Sequence, residues 1–280
     1  MKMIDVSNYQ GDIDWKKVKA SGVKGAIIRA GWGKGNVDPK FCKNIEGAIA
    51  EGLNVGIYWF SYAYTVQMAK QEAIYCHAAI SKYKDKINLP VFFDWEYDSM
   101  RWAEKNGKKP DKTLITAMTK EFCRMITEIG YVAGYYLNQD YARNHVNEAE
   151  LTQYKRWFAK YTATDQKDCY LWQYTSKGKV DGIAGNVDMD KLWEENGTVA
   201  VPDPVEEKQE EDEEEYDMKV IKKGSRGKAV KIWQIIVGAD PDGVFGAKTD
   251  AATREFQRRK GLEIDGIVGK NSWKAGLESL

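Results

Sequence analysis

Asp94-Trp95-Glu96 sets two carboxylates two residues apart at the end of an apolar run, residues 89–97. If that run is a buried strand, residues i and i+2 project from one face. Asp94 and Glu96 then stand side by side at a rigid edge. Buried acids are costly unless they are paired or used. Cleavage of a glycosidic bond is one use: it takes two carboxyl groups facing one bond, one of them protonated. Two more acids lie at other expected strand ends, Asp5 in Asp5-Val6-Ser7-Asn8-Tyr9-Gln10-Gly11 and Asp188 in Asn186-Val187-Asp188-Met189-Asp190. A single acid is more often a helix cap or half of a salt bridge. Four at one rim point to a site.

The elements that position these acids follow from the apolar periodicity. Strand patterns occupy residues 3–7, 25–32, 54–62, 89–97 and 132–138, with amphipathic helical patterns between them. Asp38-Pro39 opens one helix, with Phe41, Ile45, Ala48 and Ile49 as its stripe; residues 67–83 form another; 111–129 carries Ile115, Met118, Phe122 and Ile129 at helical spacing. Such alternation predicts a parallel sheet. After residue 155 the rhythm changes, and strands at 155–161, 169–175 and 186–192 follow with short connections. The expected fold is α/β, a TIM-like eight-stranded (β/α) barrel that is helix-poor in its last strands, plus a small all-α three-helix domain. In such barrels chemistry sits at the C-terminal strand ends. Tyr62, Tyr136 and Tyr174 are expected there beside the acids.

Formal net charge is zero but uneven: residues 203–217 hold 10 acidic and 1 basic residue, and 219–280 hold 13 basic and 7 acidic. The acidic stretch, with Pro202 and Pro204, reads as an extended spacer. The domains expected are a barrel over 1–197, an acidic linker over 198–218 and a helical domain over 219–280. The last of these contains an echo, Asp242-Gly243-Val244-Phe245-Gly246 returning as Asp265-Gly266-Ile267-Val268-Gly269, each before a helical pattern. The 10 Trp and 16 Tyr suit stacking on sugar rings, or simply a large core. Cys42, Cys76, Cys123 and Cys169 form no C-x-x-C pair and read as buried thiols. With only His77 and His145, a zinc amidase lacks ligands. Cys76 and His77 are helix neighbours whose side chains diverge, which disfavours a Cys–His endopeptidase. No metal and no cofactor is expected. Neither a signal-peptide core nor a membrane-spanning run is apparent, so synthesis in the cytoplasm is expected, with no membrane partner. The basic tail has no aromatic-interleaved stripe, so no nucleic-acid partner is expected.

Residues 1–193 resemble the glycoside hydrolase family 25 lysozymes, the Chalaropsis-type muramidases. Asp5-Val6-Ser7-x-Tyr9-Gln10-Gly11, Gly56-Ile57-Tyr58-Trp59-Phe60-Ser61-Tyr62, Phe93-Asp94-Trp95-Glu96, Gly134-Tyr135-Tyr136, Leu171-Trp172-Gln173-Tyr174 and Val187-Asp188 carry the resemblance, in family order. Residues 220–280 resemble the type 1 peptidoglycan-binding domain through Gly224-Ser225-Arg226-Gly227-x-Ala229-Val230, the two Asp-Gly turns and Thr253-x-x-Phe256-Gln257.

The resemblance implies hydrolysis of the β-1,4 bond between N-acetylmuramic acid and N-acetylglucosamine in bacterial peptidoglycan, of a Gram-positive wall. It implies Glu96 as general acid. Asp94 would be the charge stabiliser or the orienter of the substrate's N-acetyl group, with Asp5 and Asp188 tuning the pair. Tyr58, Tyr62, Tyr136, Trp172 and Tyr174 are the expected sugar contacts, with barrel packing an equal reading for Trp172. A phage endolysin is the expected setting; a bacterial autolysin and a non-catalytic wall-binding barrel are the alternatives. Met218, directly after the acidic run, is a candidate internal start that would yield a separate C-terminal fragment.

Overall fold

A computed structural model describes residues 1–193, 220–240 and 242–277. The chain divides into two compact units, Met1–Glu206 and Glu207–Leu280. The expected linker at 198–218, with Met218, lies outside the described residues.

Among the described residues the first unit is built on nine strands: β1 (Lys2–Val6), β2 (Gly25–Trp32), β3 (Asn36–Val37), β4 (Asn54–Phe60), β5 (Val91–Asp94), β6 (Ala133–Asn138), β7 (Lys155–Ala159), β8 (Leu171–Gly178) and β9 (Val187–Leu192). Their order is β1-β9-β8-β7-β6-β5-β4-β2-β3, and pairing of β1 with β2 closes eight of them into a barrel. The short β3 folds back on the end of β2. Helices α1 (Trp15–Ala20), α2 (Phe41–Ala50), α3 (Val66–Ile80), α4 (Tyr97–Lys105) and α5 (Lys112–Glu128) fall between the strands up to β6. The side chains of Asp14, Thr65 and Asp111 each accept a backbone N–H in the first turn of α1, α3 and α5, respectively.

All barrel strands but one pair in parallel; β9 runs antiparallel to both β8 and β1. The cause is the connection. Residues 179–186 contain no crossover helix, and a short connection returns the chain in the opposite sense. This reversal matters for the site. Asp188 is at the start of β9, which in a parallel strand would put it at the far rim. Running backward, β9 sets Asp188 directly opposite Asp5 near the end of β1.

Strand alternation divides the side chains between two cores. Met3, Ile27, Tyr58, Phe92, Tyr136, Trp157, Leu171 and Leu192 fill the barrel interior. Ile4, Val6, Ile28, Ile57, Phe93 and Tyr135, at positions of the other parity, pack outward with Ile45, Ala73, Met118 and Phe122 from the helices. Gly134 belongs to the inner set: a Cβ there would collide with the Phe92 ring and the Lys155 carbonyl.

Some expectations need correction. The run 89–97 is a strand only over Val91–Asp94, where β4 and β6 flank it; the chain then turns into α4, which was not anticipated. Glu96 is therefore the N-cap residue of α4 and not a strand residue. Asp38 does not cap α2, whose N-cap is Lys40; its carboxylate is buried against Arg29. Cys42 is exposed, whereas Cys76, Cys123 and Cys169 are buried, and none is in a disulfide.

In the second unit α6 (Lys228–Ile236), α7 (Ala247–Arg259) and α8 (Lys270–Leu277) surround Ile221, Val230, Trp233, Phe245, Phe256, Val268 and Trp273. The sequence echo is an echo of bonding. Gln234 Nε2 donates to Asp242 Oδ1, the Val244 carbonyl and Thr249 Oγ1, while its Oε1 accepts from Gly243 N. Gln257 does the same one repeat later, to Asp265 Oδ1, the Ile267 carbonyl and Ser272 Oγ, and accepts from Gly266 N. Both glutamines are buried, so each satisfies a turn that would otherwise leave polar backbone groups unpaired.

Candidate active site

The barrel interior changes character toward the C-terminal ends of its parallel strands. Above the aromatic layer the inward positions become Asp5 on β1, Arg29 on β2, Asp94 on β5, Gln173 on β8, and Asp188 and Asp190 on β9. All but Asp188 are buried. A cleft of about 270 Å³ opens over them, lined by Asp5, Arg29, Asp94, Glu96, Gln173 and Asp188, with Tyr9, Tyr58, Phe60, Tyr136 and Tyr161 among the walls. The four acids expected from the sequence therefore share one cavity.

The carboxyl groups of Asp94 and Glu96 hydrogen-bond each other. Such a contact requires one proton between them. Burial is the largest cause raising each group, and it brings Glu96 to about 7. Beyond burial their surroundings differ. The Arg29 guanidinium favours charge on Asp94, while Asp98 and Asp188 oppose charge on Glu96. The mutual hydrogen bond works the other way, raising Asp94 and lowering Glu96. Arg29 thus favours charge on Asp94, and Asp98 and Asp188 favour the protonated form of Glu96.

Glu96 is fixed through its backbone. Its N–H donates to Ser99 Oγ at 3.0 Å, and that hydroxyl donates to the Ser61 carbonyl at 2.6 Å. Trp95 faces away from the cleft, with Nε1 donating to the Ala63 carbonyl at 2.7 Å.

A second pair of acids joins the cleft lining to the barrel interior. Asp5 and Asp190 hydrogen-bond through their carboxyls, and burial drives both upward, Asp190 to about 8. Trp157 Nε1 donates to Asp190 Oδ1 at 2.7 Å, and Gln173 Nε2 donates to Asp5 Oδ2 at 2.8 Å. Gln173 Oε1 accepts from the hydroxyls of Tyr136, at 3.2 Å, and Tyr161, at 3.0 Å. One amide thus connects this acid pair to two phenols of the cleft wall. Asp188 is only partly buried, and burial raises it as well.

The expected sugar contacts separate. Tyr58 and Tyr136 line the cleft. Tyr62 stands outside its lining, with its ring 5.3 Å from Phe60 and 5.8 Å from the exposed Trp102. Trp172 and Tyr174 do not reach it. Gln173 points inward, so its neighbours point outward. Trp172 stacks on Trp193 and donates Nε1 to the Lys160 carbonyl, with Tyr174 beside it. Residues not anticipated include Arg29, Gln173 and Tyr161 in the cleft lining and Asp190, which is fully buried beside Asp5. Asp190 has the same i, i+2 relation to Asp188 that drew attention to Asp94 and Glu96. Arg29 is a charge inside an otherwise apolar strand run, and Gln173 is the inward neighbour of Leu171. Tyr161 follows β7 with no pattern to mark it. No group of three or more His, Cys, Asp or Glu side chains suited to a metal occurs among the described residues.

Comparison with known proteins accords with this geometry. The family model Glycosyl hydrolases family 25 matches residues 4–183, and a model for a peptidoglycan binding domain matches residues 233–275. The autolytic lysozyme of Clostridium acetobutylicum is 25% identical over 280 residues, covering 97% of this chain and 77% of that protein. The modular autolysin LytC of Streptococcus pneumoniae superposes with a TM-score of 0.60 at 26% identity over 69% of this chain, and the match spans only 46% of LytC. The CTP1L endolysin, whose activity is regulated by a secondary translation product, superposes with a TM-score of 0.59 at 26% identity, covering 70% of this chain and 67% of its own.

Proposed function

The chain belongs to glycosyl hydrolases family 25, and on that premise we propose that it is a 1,4-β-N-acetylmuramidase, cleaving between N-acetylmuramic acid and N-acetylglucosamine in bacterial peptidoglycan. The carrying observation is the contact between the carboxyl groups of Asp94 and Glu96 in the cleft, with burial raising Glu96 to about 7 and Arg29 favouring charge on Asp94. A glycan in the cleft replaces the bond between the two acids. Glu96 gives its proton to the leaving glycosidic oxygen. Asp94, charged beside Arg29, stabilises the positive charge growing at the anomeric carbon or orients the substrate's N-acetyl carbonyl toward it. Asp5 and Asp188 tune and orient this pair by hydrogen bonds and charge, and Tyr58 and Tyr136 bound the sugar. Glu96→Gln tests the assignment: loss of wall clearing supports it, and clearing at the wild-type rate refutes it.

In the same reading, residues 1–197 are the hydrolase, 198–218 the spacer and 219–280 a module that holds the enzyme on a Gram-positive wall. Limited proteolysis that cuts within 198–218 and leaves two stable fragments supports these bounds. The biological setting is lysis by a phage endolysin, made in the cytoplasm and acting after the membrane is permeabilised; similarity to the CTP1L endolysin supports it. Similarity to an autolytic lysozyme along 97% of the chain favours autolysis as the second reading. Expression inside a bacterium separates them: lysis only on membrane permeabilisation supports the endolysin, and lysis without it the autolysin. Internal initiation at Met218 is part of the endolysin reading, and a mass spectrum lacking a species that starts at Met218 or Lys219 removes it.

A further inference from the structure

Glu72 is a buried acid that the proposed chemistry does not use. It lies on α3, 3% exposed, and burial pushes it up to about 8. Its Oε1 accepts the backbone N–H of Tyr62 at 3.0 Å, and its carboxyl also bonds the hydroxyl of Ser61, which is fully buried. Both partners belong to the segment that leaves β4, and that segment holds each residue of Asp94-Trp95-Glu96. Ser61 N donates to the Asp94 carbonyl at 2.7 Å. The Ala63 carbonyl accepts from Trp95 Nε1, and the Ser61 carbonyl holds the Ser99 hydroxyl that accepts from Glu96 N. Ala63 N closes the turn on Ser61 Oγ at 3.1 Å.

We propose that Glu72 is a positioning residue for hydrolysis, acting through Ser61 and Ser99 to set the backbone from which Glu96 reaches the scissile bond. This rests on the assignment of Glu96 as general acid. A buried loop keeps one conformation when its backbone donors have partners, and Glu72 Oε1 supplies the acceptor for Tyr62 N where strand pairing ends beyond Phe60. What the role requires is a neutral acceptor oxygen, so glutamine substitutes for glutamate. Placement of a proton donor acts on the chemical step and leaves ground-state binding of the glycan largely intact.

The test uses the full chain on a soluble peptidoglycan fragment, with folding checked by thermal melting. Since misplacement near 1 Å reduces rate up to about a hundredfold, Glu72→Leu is expected to lower kcat at least about tenfold with KM within about twofold, while Glu72→Gln stays within about twofold of wild type. Ser99→Ala is expected to lower kcat also, and the double variant Glu72→Leu/Ser99→Ala to be no worse than the more affected single one. If Glu72→Leu does not fold, Ser61→Ala, which removes the hydroxyl beside Glu72 that also accepts from Ala63 N, takes its place under the same criteria. A folded variant with wild-type kcat, or losses that multiply in the double variant, overturns the proposal. Glu96→Gln run alongside separates the two claims: if it remains active, the general-acid assignment fails; if it is inactive and Glu72→Leu is not impaired, only the positioning role fails.

Discussion

Asp5, in the cleft lining, and the fully buried Asp190 share a hydrogen bond between their carboxyl groups, where β1 and β9 run antiparallel. With Asp94–Glu96 the barrel holds two such carboxyl pairs, and Glu72 on α3 is a further buried acid. The unfolded chain ionises all of them near pH 4. The folded barrel keeps protons on them to higher pH, about 8 for Asp190 and Glu72 and about 7 for Glu96. Between those limits the native state binds more protons, so its stability falls as pH rises. The melting temperature of the barrel is predicted to be at least about 5 °C lower at pH 8 than at pH 5. Asp12, lowered to about 2 by Lys40 and Lys43, titrates below this window. Calorimetry showing a level or rising melting temperature contradicts the burial of these protons.

The same sign governs catalysis in a different way. Glu96 must be protonated to act, so kcat/KM is predicted to fall as pH rises through about 7. Replacing Arg29 removes the cation that favours charge on Asp94, so Arg29→Gln should move the acid limb of the profile to higher pH. It should also lower stability by about 3 kcal/mol, because buried Asp38 loses its partner at 2.8 Å. An acid limb that stays in place in the folded variant rules out Arg29 as a group that favours charge on Asp94.

Trp172 and Tyr161 should respond oppositely to substitution. Trp172 is packed on Trp193 outside the cleft, so Trp172→Ala is predicted to lower stability by about 3 kcal/mol or more with kcat nearly unchanged in the folded fraction. Tyr161 lines the cleft and donates to Gln173, so Tyr161→Phe should lower kcat/KM several-fold (about 1 kcal/mol) with little change in melting temperature. Melting curves and kinetics on one soluble substrate check both. Reversal of the two phenotypes would restore Trp172 as a sugar contact.

Gln257 closes the second Asp-Gly turn with four hydrogen bonds. Gln257→Leu leaves Gly266 N and the Ile267 carbonyl without it, a loss of about 2 kcal/mol or more. Reduced retention on purified walls is predicted, with hydrolysis of a soluble fragment unchanged. Equal losses in both assays would contradict the division of labour between hydrolase and wall-binding module.

Much of this fold is legible in periodicity, and the exceptions have identifiable causes. The span 25–32 is a strand in sequence and structure alike, because every second residue faces one of two apolar cores. The span 89–97 is not, since Trp95 and Tyr97 look like strand residues but pack on a loop and a helix turn. Asp94 and Glu96 still meet, by a strand end and a helix N-cap and not by a shared strand face. Asp188 reaches their rim only because β9 is reversed, which depends on a connection length and not on any motif. Trp172 and Tyr174 sit on either side of Gln173, and parity alone separates the lining residue from the two that pack outside. The Glu72 network was hidden because a helical glutamate ordinarily reads as solvent-facing, and the carbonyls it organises have no sequence signature.

Mass spectrometry of fragments released from purified peptidoglycan tests the central claim most directly. The wild-type chain is predicted to leave N-acetylmuramic acid at every new reducing end, and Glu96→Gln to release none above background. New reducing ends carrying N-acetylglucosamine, or release by Glu96→Gln at the wild-type rate, would contradict the account.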